Sequence, residues 1–205
     1  MTANTGKASR PRTKPPEVRR EELMDAAERL FLAQGIAATS VDAIVAGADV
    51  AKGTFYLHFQ SKEQLLAALQ QRFIDDSCAD LQASIDARPA NDWHGRLRAW
   101  VTAGVDGYLD RIALHEVVFH EFRPHDRHAT HRNSTVEHLA EFLTDGNRAG
   151  AWTIEDPRLQ ALLLFHSMHG AVGEAVKLKV GRKHLTRALQ ALFERAVGPR
   201  RSSIS

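Results

Sequence analysis

The sequence predicts an all-α protein of two parts: a small N-terminal bundle built around a helix-turn-helix and a larger helical C-terminal domain. Three observations carry this. Apolar residues recur at helical spacing through almost the whole chain, whereas no segment alternates with period two for long enough to make a sheet. The stretch from Thr39 to Leu65 packs two short helical patterns and a third helix start into twenty-seven residues. Finally, Ser, Thr, Asp, Gly and Pro stand where helices must start or stop.

Residues 1–16 are basic, polar and proline-containing, and are expected to form a disordered arm; Lys7, Arg10, Arg12, Lys14, Arg19 and Arg20 crowd the first twenty positions. Leu23, Ala26, Ala27, Leu30 and Phe31 then mark a first helix, with Gly35 as a left-handed stop. Thr39 and Asp42 resemble a capping box opening a second helix, Val41 to Gly47. A turn at Ala48 and Asp49 leads into a short helix near Ala51 to His58, on which Phe55, Leu57 and Phe59 are expected to pack inward. Ser61 with Gln64 makes a second capping box, which starts a long helix through Leu65, Leu69, Phe73, Leu81 and Ile85 and closes at Arg88-Pro89.

One stripe runs through Leu97, Trp100, Val101, Gly104, Val105, Tyr108 and Ile112, and another through Leu114, Val117, Val118 and Phe122. Pro124 breaks the chain into the polar run HDRHATHRN. Val136, Leu139, Ala140 and Leu143 give a helix ending near Gly146 to Gly150; Asp156-Pro157 caps the next. That helix, Leu159 to Val180, is apolar on more than one side and so must be buried on more than one side. One face is expected to meet its own core and the other a second copy of the chain, with Gly170 and Gly173 allowing close approach. The last helix carries Leu185, Ala188, Leu189, Leu192 and Ala196 and stops at Gly198-Pro199. The resulting divisions are 1–16 arm, 17–64 helix-turn-helix domain, 65–198 larger helical domain, and 199–205 tail.

Composition excludes little: 43% hydrophobic and 25% charged residues are ordinary for a soluble globular protein, and the net charge is only +2. The N-terminus lacks the apolar stretch of a secretory signal, no run is long enough to cross a bilayer, and the lone Cys78 suits a reducing compartment, so a cytoplasmic location is expected.

A helix-turn-helix lays its second helix in the major groove while the first crosses the backbone. Thr39 and Ser40 stand at a helix start, where amides and hydroxyls can hold phosphate. Lys52 can reach phosphate or guanine, Gly53 lets the backbone come near the duplex, and Thr54 offers a hydroxyl and a methyl. Tyr56 and His58 supply donors at the groove edge, and Lys62 is expected on a phosphate. The string VAKGTFYLHFQSKEQL, preceded by TSVDAI, resembles the DNA-binding domain of the TetR family of bacterial transcriptional regulators. The resemblance covers roughly Arg19 to Leu69 and points to Thr39, Ser40, Lys52, Gly53, Thr54, Tyr56, His58 and Lys62 as the DNA-facing positions. One departure is Asp49, where the family usually has glycine in the interhelical turn; aspartate tolerates the left-handed region better than most residues.

The resemblance implies a repressor: a homodimer through the last two helices, bound to a palindromic double-stranded DNA operator and released by a small-molecule effector that the sequence leaves unnamed. Trp100, Tyr108, Phe119, Phe122, Phe165, His166, Met168 and His169 are the candidate walls of an effector cavity. The alternatives are a non-inducible or architectural DNA binder with a filled core, and a metal-sensing regulator. The second would use the region of His115, His120, His125, His128, His131 and His138, or the pair His166 and His169. No cofactor and no membrane partner are expected. An enzyme using Glu116, Glu121 and His120 lacks any nucleophile elbow, phosphate loop or zinc-protease motif, so no catalytic activity is expected.

Overall fold

A computed structural model describes residues 14–121 and 133–198, the side chains of His120 and Glu121 apart. Every regular element among the described residues is helical. The chain divides into two compact units, the first ending at Ala68 and the second beginning at Leu69, a few residues beyond the boundary expected at 64.

In the first unit α1 (Pro16–Ala38), α2 (Val41–Gly47) and α3 (Lys52–His58) precede the start of α4 (Lys62–Asp86). Proline is tolerated in a first helical turn, so α1 begins at Pro16, the last residue assigned to the arm. The remainder of that arm, up to Thr13, lies outside the described residues, while Lys14 pairs with Glu22 of α1. Gly35 sits at φ 79°, ψ 162°, a conformation reserved for glycine, and breaks α1 one turn before its end. Asp49 holds φ 51°, the left-handed turn expected between α2 and α3. Leu23, Ala27, Phe31, Ile44, Phe55 and Leu65 are wholly buried and make this unit's core.

The second unit holds the rest of α4, then α5 (Trp93–Asp110) and α6 (Ile112–Glu116), which runs into a π-helical turn at Val117–Glu121. Next come α7 (Ser134–Arg148), α8 (Pro157–Lys177) and α9 (Arg182–Val197). Asp92, Asn133 and Asp156 cap α5, α7 and α8 by accepting from backbone amides. Helix α7 packs along α8, and α5 along α9. Between α7 and α8 the chain is pinned by Asn147, whose amide donates to Ile154 O at 2.7 Å and accepts from Ile154 N at 2.9 Å. Trp152 is buried here over Gly146 and donates Nε1–H to Leu143 O at 2.8 Å. Phe122, Pro124, the polar run up to Arg132 and the tail 199–205 lie outside the described residues.

Candidate nucleic-acid interface and ligand cavity

Helix α3 turns Phe55 into the core of the first unit, with Phe59 buried just past its end. Seven residues at 3.6 per turn then leave Lys52, Gly53 and Tyr56 exposed, with Thr54 and His58 half-buried at the flanks. Leu57 departs from expectation. It lies two residues from both phenylalanines, hence on the opposite face, and is 83% exposed. The Lys52 ammonium is held 2.7 Å from Asp42 of α2, which raises its pKa mainly through that hydrogen bond.

Three of the predicted DNA-facing residues make contacts within the fold. Ser40 is the cap of α2, its hydroxyl accepting from Ala43 N at 3.1 Å, so the capping box expected from Thr39 does not form. Thr39 is buried, and its hydroxyl donates to Gly35 O at 2.8 Å, closing the break in α1. Lys62 points back into the unit, donating to Ile36 O at 2.7 Å and Thr39 O at 2.8 Å. Its ammonium therefore satisfies carbonyls at the negative end of α1, where a cation is favoured. Ser40 remains exposed. The cap of α4 is as expected, with Gln64 N donating to Ser61 Oγ at 3.2 Å, while the Gln64 side chain accepts from Gln60 N.

The second unit contains a cavity of about 400 Å³. Tyr108, Phe119, Phe165, His166, Met168 and His169 line it as expected, and Gly104 and Gly107 form part of its wall. Trp100 does not: its indole is fully buried, packs on Phe193 of α9 at 5.8 Å and donates to His138 Nδ1 at 3.2 Å. Phe73 of the α4 stripe also lines it, as do Ser77, Asp80, Arg111 and His115, which apolar spacing did not single out. Rings dominate this wall. His115 lies 4.5 Å from Tyr108, 5.0 Å from Phe119 and 5.1 Å from His169, while His169 stacks on Phe165 at 5.6 Å. Burial, with a smaller push from Glu116, raises the Tyr108 phenol, which therefore stays a hydrogen-bond donor. Arg111 is fixed in the wall by Ser77 at 3.2 Å and Asp80 at 3.1 Å, its guanidinium 5.0 Å over the Phe73 ring.

Among the described residues no group of three His, Cys, Asp or Glu side chains is placed to hold a metal ion. His138 is engaged on both nitrogens, accepting from Trp100 and lying 2.9 Å from Gln82 Oε1. His125, His128 and His131, with the side chain of His120, lie outside the described residues. Half-buried Cys78 packs 3.9 Å from Thr135 Oγ1, and burial raises its thiol pKa, which makes it a poor thiolate. No helix among the described residues is long and apolar enough to cross a membrane.

Helix-turn-helix units of this form lay their second helix in a DNA major groove. Residues 23–69 match the bacterial regulatory proteins of the tetR family. The chain is similar to that family over these residues, which include α2 and α3. The HTH-type transcriptional activator FasR of Mycolicibacterium smegmatis is 36% identical over 92 residues, covering 45% of this chain and 41% of that protein. The HTH-type transcriptional repressor KstR2 of Rhodococcus jostii is 41% identical over 58 residues, 28% of each chain. The chain thus matches less than half the length of these relatives, which are transcriptional regulators and not enzymes. In three dimensions the fatty acid degradation regulator FadR from Bacillus halodurans has the same fold, with a TM-score of 0.69 at 23% identity over 93% of this chain and 99% of that one.

Proposed function

We propose that the chain is a DNA-binding transcriptional repressor that acts in the cytoplasm as a homodimer and leaves a palindromic operator when a small molecule enters the cavity of its second unit. One observation carries this reading: an open, ring-lined space of about 400 Å³ lies beside the apolar core of the second unit. Small-molecule sites typically occupy about 300–1,000 Å³. A non-inducible or architectural binder would have no use for such a space. Metal sensing has no support among the described histidines.

The outer face of α8 supports the dimer. Leu159, Leu162 and Leu163 are 52%, 41% and 55% exposed, and Leu192 of α9 is 36% exposed. An apolar patch of this kind marks an association surface. For DNA the candidate contacts are Ser40, Lys52, Gly53, Thr54, Tyr56 and His58, with Thr39 and Lys62 behind them as positioning residues.

Release requires the effector to bind the DNA-incompetent state more tightly than the competent one. The test uses an operator selected in vitro from random duplexes and followed by fluorescence anisotropy. A small-molecule library is screened for release, and hits are repeated on Gly107→Leu, whose new side chain would grow into the cavity. A Cβ at Gly107 meets only Arg111 Nη2, at 3.3 Å, so the substitution spares the packed core. The expected result is unchanged operator affinity with loss of release. Release that survives in G107L, or a monomer by sedimentation in the operator complex, would defeat the reading.

A further inference from the structure

The ridge of α3 that projects farthest from its own domain is Gly53–Leu57. On a helix turning about 100° per residue these positions lie about 160° and 200° from Phe55, the residue anchored in the core. Nothing lies within 4 Å of where a Gly53 Cβ would sit, so that end of the ridge is bare backbone facing solvent. One turn later the same ridge carries Leu57, the most exposed large hydrophobic among the described residues. Tyr56 flanks it, itself 54% exposed. An isobutyl group so placed gains nothing from burial in the free domain, unlike the core leucines Leu23, Leu65 and Leu66.

If this helix lies in a major groove, its outermost ridge meets the groove floor, and the bare backbone at Gly53 permits a close approach. Leucine offers neither donor nor acceptor, so it cannot read the hydrogen-bonding edges of the bases. In the major groove one base-specific apolar feature exists, the C5-methyl of thymine. We infer that Leu57 is a specificity-determining residue that packs on a thymine C5-methyl in each operator half-site and so selects thymine at that base pair. The inference rests on the DNA-binding reading above.

Replacing thymine by deoxyuridine removes that methyl and leaves the base pair intact, which isolates the contact. The full-length wild-type chain first selects an operator from random duplexes. Each thymine is then replaced by deoxyuridine, one symmetry-related pair at a time, and the affinities of wild type and Leu57→Ala are measured by anisotropy. Far-UV circular dichroism controls for folding, which an exposed side chain should not affect. The expected result is one position at which deoxyuridine weakens wild type about fourfold per half-site, the ordinary worth of one buried methyl group. At that position L57A should bind the thymine and deoxyuridine duplexes equally. Equal weakening of L57A on both duplexes at every position, with wild type insensitive to deoxyuridine, would assign Leu57 to the sugar-phosphate backbone and overturn the inference. Wild type that enriches no sequence and binds no duplex would overturn the underlying DNA-binding reading as well, so the two failures are distinguishable.

Discussion

Lys62 stands where a phosphate-binding lysine is expected, yet its ammonium lies 2.7 and 2.8 Å from the carbonyls of Ile36 and Thr39. Lys62→Met keeps the stem and removes the charge, so it separates the two roles. A hydrogen bond to a charged group contributes about 1.5–3 kcal/mol. Lys62 is only half-buried, and water can reach part of what it leaves behind, so the two bonds together should contribute about 1.5–3 kcal/mol rather than twice that. A domain of this size loses about 4–8 °C of Tm per kcal/mol, which makes the effect easy to see in thermal and urea unfolding. Operator binding is measured in parallel between about 50 and 200 mM salt, since each neutralised phosphate adds about 0.9 to the slope of log affinity against log salt. The capping role predicts lower stability with the slope unchanged. Unaltered stability, together with a slope reduced by about one per protomer, would refute it and restore Lys62 to the phosphate.

Asp49 holds φ 51° in the open, so Asp49→Gly should relieve a left-handed strain of about 1 kcal/mol, partly offset by glycine's greater unfolded entropy; a fall in urea-unfolding stability would contradict this. Gly146→Ala places a Cβ 2.0 Å from Trp152 Cζ2 and 2.3 Å from Cε2, both atoms of a buried, hydrogen-bonded indole. It should destabilise the second unit by about 3 kcal/mol or more, and a loss below about 0.5 kcal/mol would show that the loop yields. His138 accepts from Trp100 through Nδ1 and meets Gln82 through Nε2, an arrangement that only the neutral ring satisfies, and burial lowers its pKa. The unfolded state therefore takes up the proton first. The contribution is complete above about pH 6.5 and is lost as pH falls from there through the folded pKa. His138→Asn, whose carbonyl can still accept from the indole, should flatten that part of the stability profile; an unchanged slope would exclude His138 as its source.

Legibility in the sequence followed how local each decision is. The bounds of α2 and the left-handed Asp49 were readable because caps and turns are settled within four or five residues. Thr39 and Ser40 were exchanged because two adjacent hydroxyls can each cap a helix. The tie is broken by the Gly35 carbonyl, which claims Thr39. Lys62 was beyond reach for a different reason: its partners lie 26 and 23 residues away in sequence. For Leu57 helix geometry alone decides. Phe55, Leu57 and Phe59 cannot share one face of a helix at 100° per residue, so the middle one had to point outward.

The two candidate sites differ in the same terms. DNA makes a fixed demand, a polyanion with a groove of set width, so a recognition helix has a recognisable sequence. A cavity makes none, because its walls satisfy the same apolar period as a filled core. Trp100 and Tyr108 lie on one stripe of α5 and are indistinguishable by spacing. What separates them is the neighbour each meets. Trp100 is covered by Phe193 of α9, whereas Tyr108 stands 5.2 Å from His169 of α8, in the gap that the two histidines and Phe165 leave unfilled. Whether an apolar position becomes core or cavity wall is therefore settled by the helix packed against it, not by the residue itself.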